Sequence, residues 1–353
     1  MPDDPDDDTT RVRPTTGGAA AGDFAASSSM LVHTLPEGTR LLDYRITGLL
    51  GEGGFGIVYL AFDEALQRRV AIKEYLPSSM ASRASASLTV LVKSQAHQET
   101  FALGMKSFVN EARLLARFDH PALVKVHRFW EENGTAYMVM PYYEGPTLKR
   151  TLAELGHRPD EAELRRWLDP LLDALQVLHA AHCFHRDIAP DNILLTENGP
   201  LLLDFGAARR VIGDMTHALT VVLKPGYAPI EQYGDSPSMT QGAWTDLYAL
   251  AGVVYTAVTG HKPAPAVERL MDDPLRPLSE VAAGRYSVPF LRAIDAALAL
   301  RPADRPQSVA QFRALLDGRE PWPSPATLAP HPPPVAATPQ PAGEAGAGPA
   351  DFA

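Results

Sequence analysis

The sequence predicts an α+β fold in which strands dominate the N-terminal part and helices the C-terminal part. Three observations predict it. The segment RITGLL-GEGGFG-IVYLAFD sets a glycine-rich turn between two apolar runs rich in strand formers, which is the pattern of a β-hairpin. Further along, FVNEARLLARFDHPALVKV places Phe108, Ala112, Leu115 and Ala116 on one helical face. Later still, TDLYALAGVVYTAVTG is an apolar run of about thirteen residues, too short to span a bilayer and suited to a buried core helix.

Taken in order, the chain opens on MPDDPDDD and a Ser/Thr-rich stretch, so residues 1–38 are expected to form an acidic, disordered segment. The hairpin follows. Its glycines Gly51, Gly53 and Gly56 let the backbone approach a phosphate with no side chain in the way. Phe55 at the tip would cap the site against water. A glycine fingerprint also opens dinucleotide-binding folds, but there the loop leads from a strand into a helix, whereas here strand formers stand on both sides. VAIK then places Lys73 in the next strand.

The densest chemistry is HRDIAPDNILL, His185 to Leu195, followed by DFG at Asp204, Phe205 and Gly206. An acid at Asp187, an amide at Asn192 and a second acid at Asp204 can converge on one ATP and its magnesium ions. Asp187 would orient or accept the proton of an attacking hydroxyl, while Asn192 and Asp204 hold the metal that neutralises the phosphates.

From about Leu42 to about Leu316 these segments, in this order, resemble the eukaryotic-type (Hanks-type) serine/threonine protein kinases in their bacterial style. The resemblance implies the two-lobed protein-kinase fold, with a small β-rich N-lobe carrying one main helix and a larger helical C-lobe. It sets the kinase domain at 39–317, with the N-lobe at 39–140, the hinge at 141–145 and the C-lobe at 146–317. ATP and Mg2+ (or Mn2+) are the implied cofactors. The ATP-binding loop becomes Gly51, Glu52, Gly53, Gly54, Phe55 and Gly56. Lys73 grips the α- and β-phosphates and pairs with a glutamate on the next helix. Glu111 is the preferred partner because HPALV follows its helix, with Glu99 as the competitor. The gap from Lys73 to Glu111 exceeds the family's usual spacing, so Tyr75 to Gln98 reads as an insertion, with a mobile serine-rich loop and an extra strand at LTVLV.

AYMVMPYYEGPTL resembles the strand and hinge between the lobes. Met140 stands as gatekeeper, and Pro141 offers only a carbonyl, since proline has no backbone N–H. Tyr143 offers its N–H and carbonyl to the base edge. Val58 and Ala71 above and Leu194 below would sandwich the adenine, although ordinary core packing explains these three equally well. The activation segment closes on KPGYAPIEQY, where Glu231 is expected to pair with Arg305 in a buried ion pair. Asp246 would cap the central helix and hold the backbone of His185 and Arg186, and His185 would support Phe205. Thr220, with Thr216 second, stands where the family carries its activating phosphate, and Arg186 is the natural partner for it, with Arg209 or Arg210 helping.

Two positions depart from the family's pattern. The catalytic-loop lysine that touches the transferred phosphoryl group is Ala189, and the arginine that tyrosine kinases supply two residues later is Asp191. The threonine that usually precedes PGY is Lys224. These read as a swap in which Lys224 reaches into the space left by Ala189 and sits beside Asp187. The alternative is a pseudokinase, an ATP-binding or scaffolding module without turnover; a small-molecule phosphotransferase of related fold is a third reading.

A net charge of −10 argues against a general nucleic-acid binder, and the acidic start is the reverse of a signal peptide's. No apolar run reaches membrane-spanning length, and a cytoplasmic location follows as the expectation. The single cysteine, Cys183, forms no internal disulfide and reads as a buried filler. His179, His182 and His185 are spaced like metal ligands, but one belongs to the catalytic motif and the others end a helix. Residues 318–353 are rich in Pro and Ala and cannot bury a core, so they are expected to form an extended tail. The implied activity is signalling by phosphoryl transfer to protein Ser/Thr hydroxyls, with self-association for autophosphorylation.

Overall fold

The computed structural model describes residues 33–54, 56–84, 87–204, 223–234 and 240–320. The expectations for Phe55, Phe205, Arg209, Arg210, Thr216 and Thr220, and for most of both terminal segments, lie outside the described residues.

The N-lobe is a six-stranded antiparallel sheet in the order β1-β2-β3-β4-β8-β7. Its strands are β1 (Arg40–Leu41), β2 (Tyr44–Gly53), β3 (Gly56–Asp63), β4 (Arg68–Tyr75), β7 (Arg128–Glu132) and β8 (Thr135–Pro141). Strict alternation of buried and half-buried residues along β3 makes it a strand with one face on the core. Gly53 pairs with Gly56 across the hairpin turn, and register shifts in β2 between Ile46 and Gly48 and between Leu49 and Gly51 bend the strand next to the loop. Gly56 is required by contact: a Cβ there would collide with the Glu74 carbonyl oxygen of the neighbouring strand. Helix α1 (Gln98–Leu115) lies against the sheet through Phe101, Phe108, Ala112 and Leu115. Ala116, expected on that stripe, is exposed because the helix ends one residue earlier.

The insertion carries more strand than its serines suggest. Its described residues form a two-stranded hairpin, β5 (Ala81–Arg83) with β6 (Val90–Val92), so the extra strand comes as a pair. Arg83 fixes it. Its guanidinium donates to both oxygens of the fully buried Glu74 at 2.6 Å, and Tyr59 donates to the same carboxylate at 2.8 Å. The guanidinium also donates to the carbonyls of Leu88 and His33, while Leu35 N donates to the Tyr59 hydroxyl. Packing therefore begins upstream of residue 39, with Leu35 in the core.

The C-lobe contains α2 (Leu148–Glu154), α3 (Glu161–Ala180), the ribbon β9 (Ile193–Thr196) with β10 (Gly199–Leu202), α4 (Ala243–Thr259), α5 (Ala266–Arg269), α6 (Leu278–Val281), α7 (Val288–Ala297) and α8 (Val309–Leu316). Asp160 and Glu163 form a reciprocal capping box that starts α3. Helix α4 is buried on nearly every side, as the long apolar run from Leu247 to Val258 favours, and ends at Gly260 in the left-handed conformation (φ +84°).

Candidate active site

Strand β4 carries Lys73 into the cleft, opposite Val58 on β3 and Met138 on β8. Its ammonium lies 3.6 Å from Glu111 Oε1 and 2.7 Å from Asp204 Oδ1. Glu111 is buried on the sheet face of α1, whereas the competitor Glu99 is exposed in the first turn. The Asp204 contact was not foreseen from the sequence.

Asp187 and Asn192 sit between α3 and β9. Asn192 Nδ2 donates to the Asp187 carbonyl at 2.8 Å and to its Oδ2 at 2.5 Å. The amide nitrogen is thereby used, which leaves Oδ1 of Asn192 as the group that can face a hard cation. With the Asp204 carboxylate this makes an all-oxygen donor set, which fits Mg2+ or Mn2+ rather than a soft metal. Among the described residues no group of three or more His, Cys, Asp and Glu is arranged to hold a metal ion.

A rigid frame holds this loop. Asp246 accepts from His185 N at 2.9 Å, from Arg186 N at 2.8 Å and contacts His179 Nε2 at 2.8 Å. Burial alone would raise its pKa, but the His179 contact and the Arg186 amide hold the carboxyl below its ordinary range. Asp246 does not cap α4; the amide of the N-cap residue Gly242 donates to Thr245 Oγ1, and Asp246 lies one residue further into the helix. Arg186 occupies a left-handed backbone conformation (φ +66°), a strain of about 1–2 kcal/mol that Asp246 and the Gln232 side chain, donating to the Arg186 carbonyl, hold in place. His185 is fully buried, and burial pushes its imidazole below the usual value against the pull of Asp246 and Asp187. Neutral His185 has its proton on Nε2, which donates to the Leu203 carbonyl at 2.8 Å, and Nδ1 accepts from Asp187 N.

Glu231 and Arg305 meet at 2.7 Å with both side chains fully buried. Thr245 adds a hydroxyl to the same carboxylate oxygen, and Arg305 also donates to the carbonyls of Ala299 and Leu300. At the adenine side, Ala71 pairs with Met140 and Val70 with Pro141. Ala71, Met140 and Leu194 are buried and Val58 half-buried. Gly145 lets the hinge press onto β9, where a Cβ would strike the Leu195 carbonyl. Tyr143 Oη accepts from Lys125 N at 3.4 Å.

Lys224 Nζ lies 3.9 Å from Asp187 Oδ2 and 2.7 Å from Asp191 Oδ1. Asp191 was read from the sequence only as a missing arginine. An acid gained in the loop together with a lysine gained before PGY was the signal.

A family described as "Protein kinase domain" matches residues 44–275. The chain belongs to the protein kinase family. The kinase domain is of the Hanks type found in bacterial serine/threonine-protein kinases. AfsK of Streptomyces griseus is 33% identical over 259 residues, which is 68% of this chain and 29% of AfsK. PknA of Nostoc sp. is 30% identical over 284 residues, 75% of this chain and 46% of PknA. The chain thus spans less than half the length of these two relatives. The solved structure "PpkA-294 apo form" is 47% identical with a TM-score of 0.75, covering 80% of this chain and 99% of that one. Among the described residues of the kinase, no helix is long and apolar enough to cross a membrane.

Proposed function

We propose that this kinase transfers the γ-phosphoryl group of ATP to serine or threonine hydroxyls of proteins, its own included. The observation that carries the reading is Asp187, buried, oriented by Asn192, and set in one cleft with the Lys73, Glu111 and Asp204 group. Asp187 orients the acceptor hydroxyl and takes its proton. The hydroxyl oxygen bonds to the γ-phosphorus as the bond from phosphorus to the β–γ bridging oxygen breaks, and ADP leaves. Lys73, steadied by Glu111, holds the α- and β-phosphates. Asn192 and Asp204 would hold Mg2+ or Mn2+, which when bound neutralises phosphate charge. The glycine loop covers the phosphates, and the strand from Met140 to Pro141, continuing to Tyr143, receives the adenine between Val58, Ala71 and Leu194.

Work in the cytoplasm, where ATP is available, agrees with a lone buried cysteine. Labelled ATP with magnesium tests the reading. Label on wild type but not on Asp187→Asn is the expected result. ATP binding without transfer by wild type to itself or to basic protein acceptors would overturn it in favour of the pseudokinase.

A further inference from the structure

We propose that Lys224 supplies the phosphoryl-facing cation that the catalytic loop lacks at Ala189, and that Asp191 is the positioning residue that holds it beside Asp187. The proposal rests on the phosphoryl-transfer reading above and adds to it where the missing cation comes from and what controls its arrival.

Ala189 is fully buried and offers only a methyl group. Lys224 comes from a different segment of the same lobe and lies 2.7 Å from Asp191 and 3.9 Å from Asp187, with its side chain 12% exposed. An ammonium on a flexible four-carbon stem is costly to hold in one place, since a free lysine samples many rotamers. The short bond to Asp191 meets that cost in advance. Asp191 lies in the same tight turn, Pro190–Asn192, as the amide that orients Asp187. Neighbouring residues of one turn therefore aim the two groups: Asn192 sets the base and Asp191 sets the cation. A lysine needed only to neutralise Asp191 would have no reason to lie within ion-pair distance of the catalytic acid as well.

The backbone that carries Lys224 is anchored elsewhere. The Lys224 carbonyl accepts from Tyr227 N at 3.0 Å and from Ala228 N at 2.9 Å, closing a turn. Within it Gly226 has φ +89° and passes so close to the Pro263 carbonyl that a Cβ would collide. The Tyr227 hydroxyl meets Thr256 Oγ1 on α4 at 3.2 Å. A lysine at 189 would be present in every state of the catalytic loop. A lysine at 224 is delivered only when residues 223–234 are seated on α4, so seating of this segment and completion of the phosphoryl site become one event.

The test is steady-state transfer from labelled ATP to myelin basic protein by the full chain, for wild type, Asp187→Asn, Lys224→Ala, Asp191→Asn and the double variant Ala189→Lys/Lys224→Thr. Thermal unfolding and nucleotide binding are measured on each, so that loss of folding is not read as loss of chemistry. Lys224→Ala is expected to lower kcat about 10²–10³-fold with little change in KM for ATP, the signature of an interaction made in the transition state. Asp191→Asn should lower kcat by about tenfold, through a cation held less firmly. The double variant should recover at least about tenfold over Lys224→Ala, because it returns a cation to the space. The proposal is overturned if folded, nucleotide-binding Lys224→Ala keeps kcat within about threefold of wild type. It is equally overturned if the folded double variant stays as slow as Lys224→Ala. A wild type that transfers nothing overturns the kinase reading itself, an outcome distinct from the other two.

Discussion

Replacing Arg83 by Ala removes a guanidinium that the kinase sequence gives no reason to value, and the structure makes the consequence large. Glu74 is fully buried, and Arg83 donates to both of its oxygens. Breaking a buried pair by removing one partner costs about 3–5 kcal/mol, because the remaining charge has neither water nor a counter-ion. The carbonyls of His33 and Leu88 lose a donor as well, each worth about 1 kcal/mol where water cannot return. The broken pair alone, at about 4 kcal/mol, is a large share of a domain's total of about 5–15 kcal/mol. At roughly 2–4 °C per kcal/mol the midpoint of thermal unfolding should fall by about 10 °C. The deficit has a pH signature. Burial already raises the pKa of Glu74 against the opposing guanidinium. Without Arg83 the folded-state pKa rises further above the unfolded value, so stability is retained at low pH and lost as pH rises; the deficit should be greater at pH 8 than at pH 5. Glu74→Leu/Arg83→Met removes both charges and should regain most of the loss, since buried pairs exchange for apolar groups at little net cost. Urea and thermal unfolding of the three proteins decide the matter. A change below about 1 kcal/mol in Arg83→Ala would refute the idea that a buried charge pair secures the hairpin.

Glu231→Gln should destabilise by about 3–5 kcal/mol in urea unfolding, because it leaves the Arg305 charge buried without its counter-ion. Arg305→Lys should not substitute, since one ammonium cannot reach Glu231 and the carbonyls of Ala299 and Leu300 together. Stability should fall as pH drops below about 6.5, where unfolded histidine takes up a proton that buried His185 refuses. Urea midpoints at pH 7.5 and 5.5 measure that slope, which should be shallower in His185→Gln. Burial pushes the Cys183 thiol up to about 11, so iodoacetamide at neutral pH should label it only after denaturant is added, as read by mass spectrometry.

The strand, helix and loop order was legible because each element carries its own local signal: glycines between strand formers, an apolar stripe, a thirteen-residue apolar run. The acids and the amide of the catalytic loop were legible because their spacing is set by chemistry. The Arg83 network was not. Its partners come from four separated segments, at His33, Tyr59, Glu74 and Leu88, and no periodicity links an arginine in a serine-rich stretch to a glutamate on the far face of β4. For the same reason only one strand of the insertion's pair was legible: serine content describes local preference, and the ion pair that holds β5 lies outside it. Asp246 was placed correctly against the backbone of His185 and Arg186 but not at the start of its helix, since the sequence shows a suitable capping residue without showing where the first turn begins.

The charges of the site form two trios, one that bridges the lobes and one within the C-lobe. Glu111, Asp187, Asp191 and Asp204 bring four carboxylates, and Lys73 and Lys224 bring two ammonium groups. Each lysine is shared by two acids, with one short contact and one longer: Asp204 before Glu111 for Lys73, Asp191 before Asp187 for Lys224. The excess of acid is what an all-oxygen cation site needs, and it would repel a polyphosphate if no metal came with it. In each trio the longer contact belongs to the residue on which the proposed chemistry depends, Glu111 for the position of α1 and Asp187 for the acceptor hydroxyl. The short contacts therefore fix the lysines in place, and the longer ones set each ammonium beside Glu111 or Asp187.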